Sequence, residues 1–290
     1  MSTRNFRKML EAQWSRGNFV CVGLDCELAK IPESARKKDG YGDLRVTDTI
    51  CAFNHAIVEA TKDLVCAYKP NIAFYEALGS EGIRALQQTI ANIHAYAPDV
   101  PVILDAKRGD IGNTNAGYVD SAFSVLNADA ITVHPYLGRE AMQPFLDCKD
   151  KGIFVLCRTS NPGADEFQGM EVCINARLGF YGPLCQLVAG CVSRDWNVNG
   201  NCALVVGATA PEELRQVREI VGDMPILIPG IGAQGGDVGR TVSAGKDSRG
   251  QGMIINSSRG IIFASNGSDF AEAARRETLK LHHLINHYRQ

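Results

Sequence analysis

The sequence predicts an α/β fold, a (β/α)8 TIM barrel that forms a single domain over residues 1–290. Short, almost continuously apolar runs recur along the chain, as expected for parallel strands that are buried on both faces. Amphipathic stretches with helical periodicity separate these runs. Eight such units in a chain of 290 residues fit one closed barrel. An open doubly wound sheet is the alternative.

The predicted strands are five to seven residues long and are, in chain order, Phe19–Leu24, Val65–Lys69, Pro101–Lys107, Ala130–His134, Ile153–Cys157, Ala203–Gly207, Pro225–Pro229 and Met253–Ser257. Helical periodicity is clearest over Asp48–Asp63, Glu81–Ala95, Pro211–Val221 and Asp269–His287. Two stretches break the alternation and predict long loops after strands one and five, namely Cys26–Val46 and Asn161–Gly179. Long loops at the carboxyl ends of barrel strands commonly contact substrate.

Composition excludes several classes of protein. The net charge is −2, from 30 basic and 32 acidic residues, so no polycationic surface for nucleic acid is expected. None of the ten cysteines forms a CxxC pair, and several lie in apolar runs, where cysteine acts as a small hydrophobe. No apolar run is long enough to span a membrane, and no signal peptide is expected at the start. We therefore expect a cytoplasmic protein.

The most informative motif lies at the end of the third predicted strand and reads DAKRGDIGNT from Asp105 to Thr114. Because side chains alternate along a strand, Asp105 and Lys107 should face the same side, at the barrel mouth. Asp110 follows just after the strand, and Thr114 about one helical turn later. An acid, a base and a second acid would then share a small volume. A structural salt bridge is the alternative, since charges facing a barrel interior are costly unless paired.

Two neighbouring strand ends add matching charges. The first strand is followed by Asp25, and the second ends in Lys69. Each alone is an ordinary strand-end charge, but four alternating acids and bases on three neighbouring strands indicate a reaction site.

Glycines and one arginine predict an anion site on the other side of the barrel. Strand seven continues into Pro229, Gly230, Gly232, Gln234 and Gly235, and strand eight into Ser258 and Arg259. Glycines let backbone N–H groups approach an anion closely, and arginine binds phosphate in a fork geometry. Barrels commonly bind phosphate after strands seven and eight. The spacing GxGxxG also matches a dinucleotide fingerprint, but the match stands alone and late in the chain.

Other candidates are weaker. Ser160, after strand five, has a hydroxyl suited to the edge of a heterocycle, although a turn residue before Pro162 is equally consistent with its position. No HExxH motif, paired cysteines or carboxylate-rich loop indicates a metal site, so we expect neither metal nor cofactor.

These motifs, DAKRGDIGNT and the glycine-rich PGIGAQGG from Pro229 to Gly236, resemble those of the orotidine 5′-phosphate decarboxylases, in their longer-chain bacterial branch (type 2). The resemblance runs from strand one to strand eight. It implies a barrel that works as a homodimer with shared active sites and that converts orotidine 5′-phosphate (OMP) to uridine 5′-phosphate (UMP) in pyrimidine biosynthesis.

The resemblance also implies a role for each candidate residue. Lys107 would protonate C6 after carbon dioxide has left, and Asp105 would lie against the substrate carboxylate. Asp110 and Thr114 would reach into the partner subunit's site. By the same resemblance, Asp25 and Lys69 would contact the ribose, and Ser160 the pyrimidine. Gln234 and Arg259 would contact the phosphate. Three features depart from the commoner branch: Arg108 replaces Phe, Ser258 replaces Gly, and Cys26–Val46 has no counterpart.

Three rival interpretations stay open from the residues. A magnesium-dependent sugar-phosphate enzyme, such as a ketogulonate-phosphate decarboxylase or hexulose-phosphate synthase, resembles this chain in its Asp-x-Lys-x-x-Asp spacing. It would need an acid near the end of strand two, where Lys69 stands and Glu76 lies well beyond. A Schiff-base aldolase would need a neutral lysine at position 107 or 69. A nucleotide-phosphate sensor without catalysis would have no use for crowded charges.

Overall fold

The structure is a computed structural model that describes residues 4–175, 179–231 and 236–290. Its described part divides into two compact units. The first comprises Met1–Ala106, Asp120–Ile131 and Ser257–His283, and the second comprises Lys107–Val119, Thr132–Asn256 and Leu284–Gln290. That residues 1–290 act as one domain remains a prediction.

The strands of the structure match all eight predicted strands to within about two residues at each end and add a separate two-stranded ribbon. Their bounds are β1 Val20–Gly23, β2 Val65–Lys69, β3 Ile103–Arg108, β4 Ala130–Val133, β5 Gly152–Arg158, β6 Glu171–Asn175, β7 Phe180–Pro183, β8 Cys202–Val206, β9 Ile226–Pro229 and β10 Met253–Ser257.

One helix precedes the first strand, and the others lie between the strands of the large sheet or after the last one. Their bounds are α1 Phe6–Ser15, α2 Val46–Thr61, α3 Ile72–Glu76, α4 Gly79–Tyr96, α5 Gly112–Val119, α6 Gly138–Leu146, α7 Leu184–Cys191, α8 Pro211–Val221, α9 Val238–Gly245, α10 Arg259–Ile262 and α11 Phe270–Arg289. No helix in the described ranges is both long and apolar enough to cross a membrane.

Strand order decides the fold class. The large sheet has eight strands in the order β2-β1-β10-β9-β8-β5-β4-β3, so the first and last strands of the chain are neighbours. At the ends of this order, parallel bridges join Tyr68 to Val102 and Asn71 to Asp105, which links β2 to β3. A doubly wound sheet would keep two free edges. The predicted (β/α)8 barrel class is therefore confirmed.

Helix α8 shows how local sequence can determine the residues at which a helix begins and ends. Pro211 occupies the first helical turn, where its missing N–H is not needed, and Glu212 and Glu213 complement the positive end of the helix dipole. Gly222 ends the helix with a φ of 61°. The predicted range, Pro211–Val221, agrees with the structure at both ends.

The two predicted loops contain more structure than expected. The connection from β1 to α2 holds two short 3-10 turns, Leu28–Lys30 and Glu33–Ala35. The stretch after β5 was predicted as loop, but β6 in its second half pairs antiparallel with β7. Exposed and half-buried residues alternate from Glu171 to Ile174, the period of a strand with one covered face. The glycine content of this stretch concealed that signal.

An ion pair between Arg4 and the buried Asp129 holds the start of the chain within the first compact unit. Arg4 Nε and Nη2 donate to Asp129 Oδ1 and Oδ2, each at 2.8 Å. The backbone N–H of Val102 donates to Oδ2 at 2.9 Å. Burial alone would raise the pKa of the Asp129 carboxyl, but these hydrogen bonds and the charge of Arg4 lower it to about 2.

This pKa predicts how stability depends on pH. Because the folded-state pKa lies below that of an unfolded aspartate, about 3.9, the stabilisation is complete well above pH 4 and is lost as the pH falls through 2. We expect the unfolding free energy of the wild type minus that of Asp129→Asn to shrink by on the order of 2 kcal/mol between pH 5 and pH 2. Urea titrations measure this difference, and Asp150→Asn at an exposed site is the control. A difference that stays constant down to pH 2 would contradict the assignment.

Candidate active site

Three predicted site residues meet inside the first compact unit. Lys69, at the end of β2, points its ammonium at Asp105 on β3, with Nζ 3.0 Å from Oδ2. Asp25, two residues after β1, places Oδ1 3.9 Å from the same Nζ. The Lys69 side chain is only 4% exposed, so its charge depends on these two carboxylates for compensation. The structure thus brings together three of the four charges predicted at neighbouring strand ends.

The electrostatics of this cluster keep Lys69 charged. Burial alone would lower the pKa of the Lys69 ammonium, but the carboxylates of Asp105 and Asp25 raise it above its ordinary value. A lysine held in this way cannot supply the neutral amine that imine formation needs. Lys69 therefore suits the binding of a polar ligand better than covalent catalysis.

Asp25 has spare capacity to accept a hydrogen bond. Its Oδ1 is buried and receives no hydrogen bond from any residue in the described part of the chain. A carboxylate oxygen can only accept, so a donor is what this atom requires. A hydroxyl group of a ligand would satisfy it.

In the second compact unit, Lys107 has an unusual backbone conformation. Its φ is 49°, in the left-handed region that residues other than glycine seldom adopt. Its backbone N–H donates to Thr132 Oγ1 at 2.9 Å, which helps to fix this conformation. The backbone therefore leaves the extended conformation at Lys107, within β3, and that Asp105 and Lys107 face the same side of the strand remains a prediction. Lys107 is exposed, in contrast to Lys69.

The turn after Lys107 is packed tightly against β4. His134 Nε2 lies 3.1 Å from the carbonyl oxygen of Gly109, and the backbone N–H of His134 donates to Arg108 O at 3.0 Å. A Cβ at position 109 would lie 2.4 Å from His134 Nε2, so any side chain there would displace the His134 ring. The guanidinium of Arg108, where the commoner branch has Phe, lies 5.3 Å from the ring centre of Tyr118. This departure is thus accommodated by a cation–π contact.

Asn115, which no sequence motif singled out, supports the candidate site residue Asp110. Its Oδ1 accepts from the backbone N–H of Asp110 at 2.9 Å, and its Nδ2 donates to Asp110 O and to Ala141 O, each at 2.6 Å. Asn115 is fully buried, and it fixes the backbone that carries the half-buried Asp110. Thr114, next to it on α5, is exposed. An asparagine five residues after Asp110 in a polar motif gave no distinctive signal.

The loop after β5 holds Ser160 in a half-buried position. Arg158 Nη2 donates to Asp165 Oδ1 at 2.7 Å, and Gln168 Oε1 accepts from the backbone N–H of Thr159 at 2.7 Å. A Cβ at Gly207 would lie 2.8 Å from Ser160 Cβ, so the end of β8 and this loop are in close contact. Ser160 therefore packs against the end of β8, and its contact with a heterocycle remains a prediction.

The predicted phosphate loop is only partly described. Gly230 follows Pro229 at the end of β9 with a φ of 104°, which requires glycine, and Gly236 N donates to Gly230 O at 3.2 Å. Gly232, Gln234 and Gly235 lie outside the described residues.

At the end of β10, Ser258 and Arg259 belong to the first compact unit. A Cβ at Gly23 would lie 1.9 Å from Ser258 Oγ. Because glycine has no side chain, there is room for Ser258 at this point. Arg259 begins α10 and is exposed.

Comparison with known proteins decides the family. The family model described as "Orotidine 5'-phosphate decarboxylase / HUMPS family" matches residues 18–275. The chain belongs to the orotidine 5′-phosphate decarboxylase family. An orotidine 5′-phosphate decarboxylase of Ralstonia nicotianae is 50% identical over 285 residues, 98% of this chain and 99% of the relative. One from an Azoarcus species is 48% identical, over 98% of this chain and all of the relative.

Solved structures of orotidine 5′-phosphate decarboxylases agree with the fold. OMP decarboxylase of Leishmania donovani superposes with a TM-score of 0.80 at 36% identity, covering 97% of this chain and 98% of that one. The UMP synthase of the same organism gives a TM-score of 0.82 at 38% identity, and this chain spans 57% of that longer chain. The predicted resemblance is confirmed. No group of three or more metal-ligating side chains occurs among the residues described.

Proposed function

We propose that this chain decarboxylates OMP to UMP in the cytoplasm, without metal or cofactor, as a homodimer with shared active sites. Its membership of the family confirms the predicted enzyme class, an orotidine 5′-phosphate decarboxylase of pyrimidine biosynthesis. The observation that supports the details is the buried Asp25–Lys69–Asp105 cluster. The strand that supplies Asp105 also carries Lys107.

Lys107 is the proposed general acid. Loss of carbon dioxide leaves an electron pair on C6 of the pyrimidine, in an orbital that no neighbouring group can delocalise. An ammonium held beside C6 stabilises this charge as it develops and then donates a proton to the same carbon. Lys107 is exposed and therefore accessible to substrate. In the proposed complex, bound substrate and a second subunit would cover it.

Asp105 and the partner's Asp110 would keep Lys107 charged. The same two carboxylates would face the substrate carboxylate. Two like charges about 4 Å apart at an effective dielectric near 20 repel by roughly 4 kcal/mol. Enzymes lower barriers by about 8–23 kcal/mol, so repulsion in the ground state is insufficient. Stabilisation of the carbanion is the larger contribution in this proposal.

The remaining residues would bind the nonreacting parts of the substrate. Asp25 and Lys69 would hold the ribose hydroxyls, Thr114 of the partner would add to them, and Ser160 would contact the pyrimidine. The phosphate would bind to Gln234, Arg259 and the loop residues Pro229, Gly230, Gly232, Gly235 and Ser258. Binding of the remote phosphate can drive loops to close over the substrate, and this closure can lower the barrier at the reacting carbon.

Exposed apolar side chains support the proposed dimer. Ile111, after β3, is 57% exposed, and Tyr136 and Leu137, after β4, are 91% and 41% exposed. They belong to the same compact unit as Asp110 and Thr114. Exposed apolar side chains are unfavourable in water, and burial against a second copy would remove them from solvent. The same contact would carry Asp110 into the partner's site.

A direct assay tests the proposed activity and its independence of metal. Purified protein should convert OMP to UMP, followed by the change in pyrimidine absorbance, at the same rate before and after dialysis against EDTA. The metal-independent mechanism requires this because lysine, not a metal, stabilises the carbanion. A rate that falls on dialysis and returns with magnesium would favour the sugar-phosphate enzyme class instead.

Mixing two inactive variants tests the shared site. Lys107→Ala and Asp110→Ala homodimers should each have little activity. After subunit exchange at equal concentrations, half of the dimers should be hybrids with one complete site, which gives up to about a quarter of the wild-type rate. Subunit exchange is verified with a tagged copy. Verified exchange without any recovery of rate would show that Asp110 acts within its own subunit.

A further inference from the structure

The chain on both sides of Asp25 is held by two buried side chains. Tyr75 Oη, from α3, donates to the carbonyl oxygen of Leu24 at 3.0 Å. On the other side, Cys26 Sγ donates to Asn54 Oδ1, from α2, at 2.8 Å. The backbone N–H of Cys26 also donates to Leu24 O at 3.1 Å, which closes a tight turn with Asp25 at its centre.

The two holding side chains are themselves joined. Asn54 Nδ2 donates to Tyr75 Oη at 3.1 Å and to Thr89 Oγ1, from α4, at 3.0 Å. Tyr75, Asn54, Thr89 and Cys26 are each at most 1% exposed. Burial raises the pKa of the Cys26 thiol to about 12, so it stays protonated and donates at neutral pH. Each of these polar groups has a partner, as a buried network requires.

Packing alone does not require so many polar groups here. An apolar core would fill the space between three helices without the desolvation of an amide, a phenol and a hydroxyl. What the network adds is a fixed backbone at residues 24–26. The carboxylate on that turn has a buried Oδ1 without a hydrogen-bond donor in the described ranges, 3.9 Å from the ammonium of Lys69.

We propose that Tyr75, Asn54 and Cys26 are positioning residues, which aim the Asp25 carboxylate at a ribose hydroxyl of the substrate and so set the preference for a ribonucleotide. The inference rests on the proposed function, since it assumes a ribose at Asp25. A carboxylate held from both sides of its own backbone cannot follow a displaced ligand. Accordingly, a substrate without the matching hydroxyl leaves Oδ1 unsatisfied.

The test compares OMP with its 2′-deoxy and 3′-deoxy analogues. In the wild type, the analogue that lacks the hydroxyl bound by Asp25 should have a kcat/KM at least about tenfold below that of OMP. The preference is measured as the ratio of kcat/KM for OMP to kcat/KM for this deoxy analogue. Tyr75→Phe removes the hydrogen bond to Leu24 O and should reduce this ratio by about three- to tenfold, mainly through a higher KM for OMP. The rate with the deoxy analogue should change little, which a general loss of folding would not produce.

Tyr68→Phe is the matched control. Tyr68 is also fully buried, and its Oη donates to Val58 O at 3.1 Å and lies 2.9 Å from Thr61 Oγ1, so it loses a comparable hydroxyl. We expect this variant to keep the wild-type ratio within about twofold. Equal ratios for wild type, Tyr75→Phe and Tyr68→Phe would overturn the proposal.

A second pair of variants covers the case in which Tyr75→Phe folds poorly. Cys26→Ala removes the donor to Asn54 and should lower the ratio, whereas Cys26→Ser keeps a donor and should restore it. If both keep the wild-type ratio, the network does not position Asp25. The controls also separate this inference from the proposed function: a wild type that does not turn over OMP refutes the function, and a wild type that does not discriminate between ribose and deoxyribose refutes the role of Asp25.

Discussion

Lys107→Ala should lower kcat by about 10⁴-fold or more while leaving the fold intact. General acid catalysis contributes roughly 10²–10⁴-fold, and an electrostatic group aimed at developing charge adds about 10²–10³-fold. Both contributions are lost with this one ammonium. Because Lys107 is exposed, its removal should change the unfolding free energy by no more than about 0.5 kcal/mol.

Steady-state kinetics with OMP measure the rate loss, and urea unfolding measures stability. Alanine keeps the same left-handed backbone strain as lysine at this position, where φ is 49°, so the comparison isolates the side chain. Lys149→Ala, at another exposed lysine of the second compact unit, should keep wild-type kinetics. A well-folded Lys107→Ala enzyme with near-normal kcat would remove Lys107 from the mechanism.

Asp105→Ala should damage both stability and turnover. The buried ammonium of Lys69 would lose its hydrogen-bonded carboxylate at 3.0 Å and keep only Asp25 at 3.9 Å. Leaving a buried charge without its partner costs about 3–5 kcal/mol, and we expect a loss near the lower end because Asp25 remains. Turnover should fall by roughly 10²–10³-fold, since a charge of the reacting array is missing.

The double variant Asp105→Ala/Lys69→Met separates the two effects. Removing both charges should restore most of the stability lost in Asp105→Ala, because no unpaired ammonium is left behind. Activity should stay low, since neither charge is available to the substrate. If the double variant is no more stable than Asp105→Ala, the buried pair is not the source of the lost stability.

Most of the fold was predictable because its signals are local. Buried parallel strands need continuous apolar runs, and β2 and β10 agree with the predicted ranges at both ends. Helix α8 was bounded by a proline and a glycine. The ribbon of β6 and β7 was missed because its pairing lies outside the barrel pattern and its alternation is short.

Much of the candidate site was predictable for the same reason. Each charge alone is ordinary at a strand end, but their repetition on neighbouring strand ends singled out Asp25, Lys69 and Asp105, and the structure places the three together. The supporting residues did not stand out. Asn54, Tyr75 and Asn115 lie on helices, where a single polar residue on a buried face has no pattern of its own.

Local sequence was enough to predict the order of strands and helices, the charged strand ends and the family, because each depends on residues close together in the chain. The folded structure was needed to show that Lys69 is buried and Lys107 exposed, and that the chain leaves the extended conformation at Lys107. Burial and hydrogen bonding join residues far apart in the chain, such as Leu24 with Tyr75 and Asn54 with Thr89. Such contacts exist only once the chain has folded, so no local pattern can specify them.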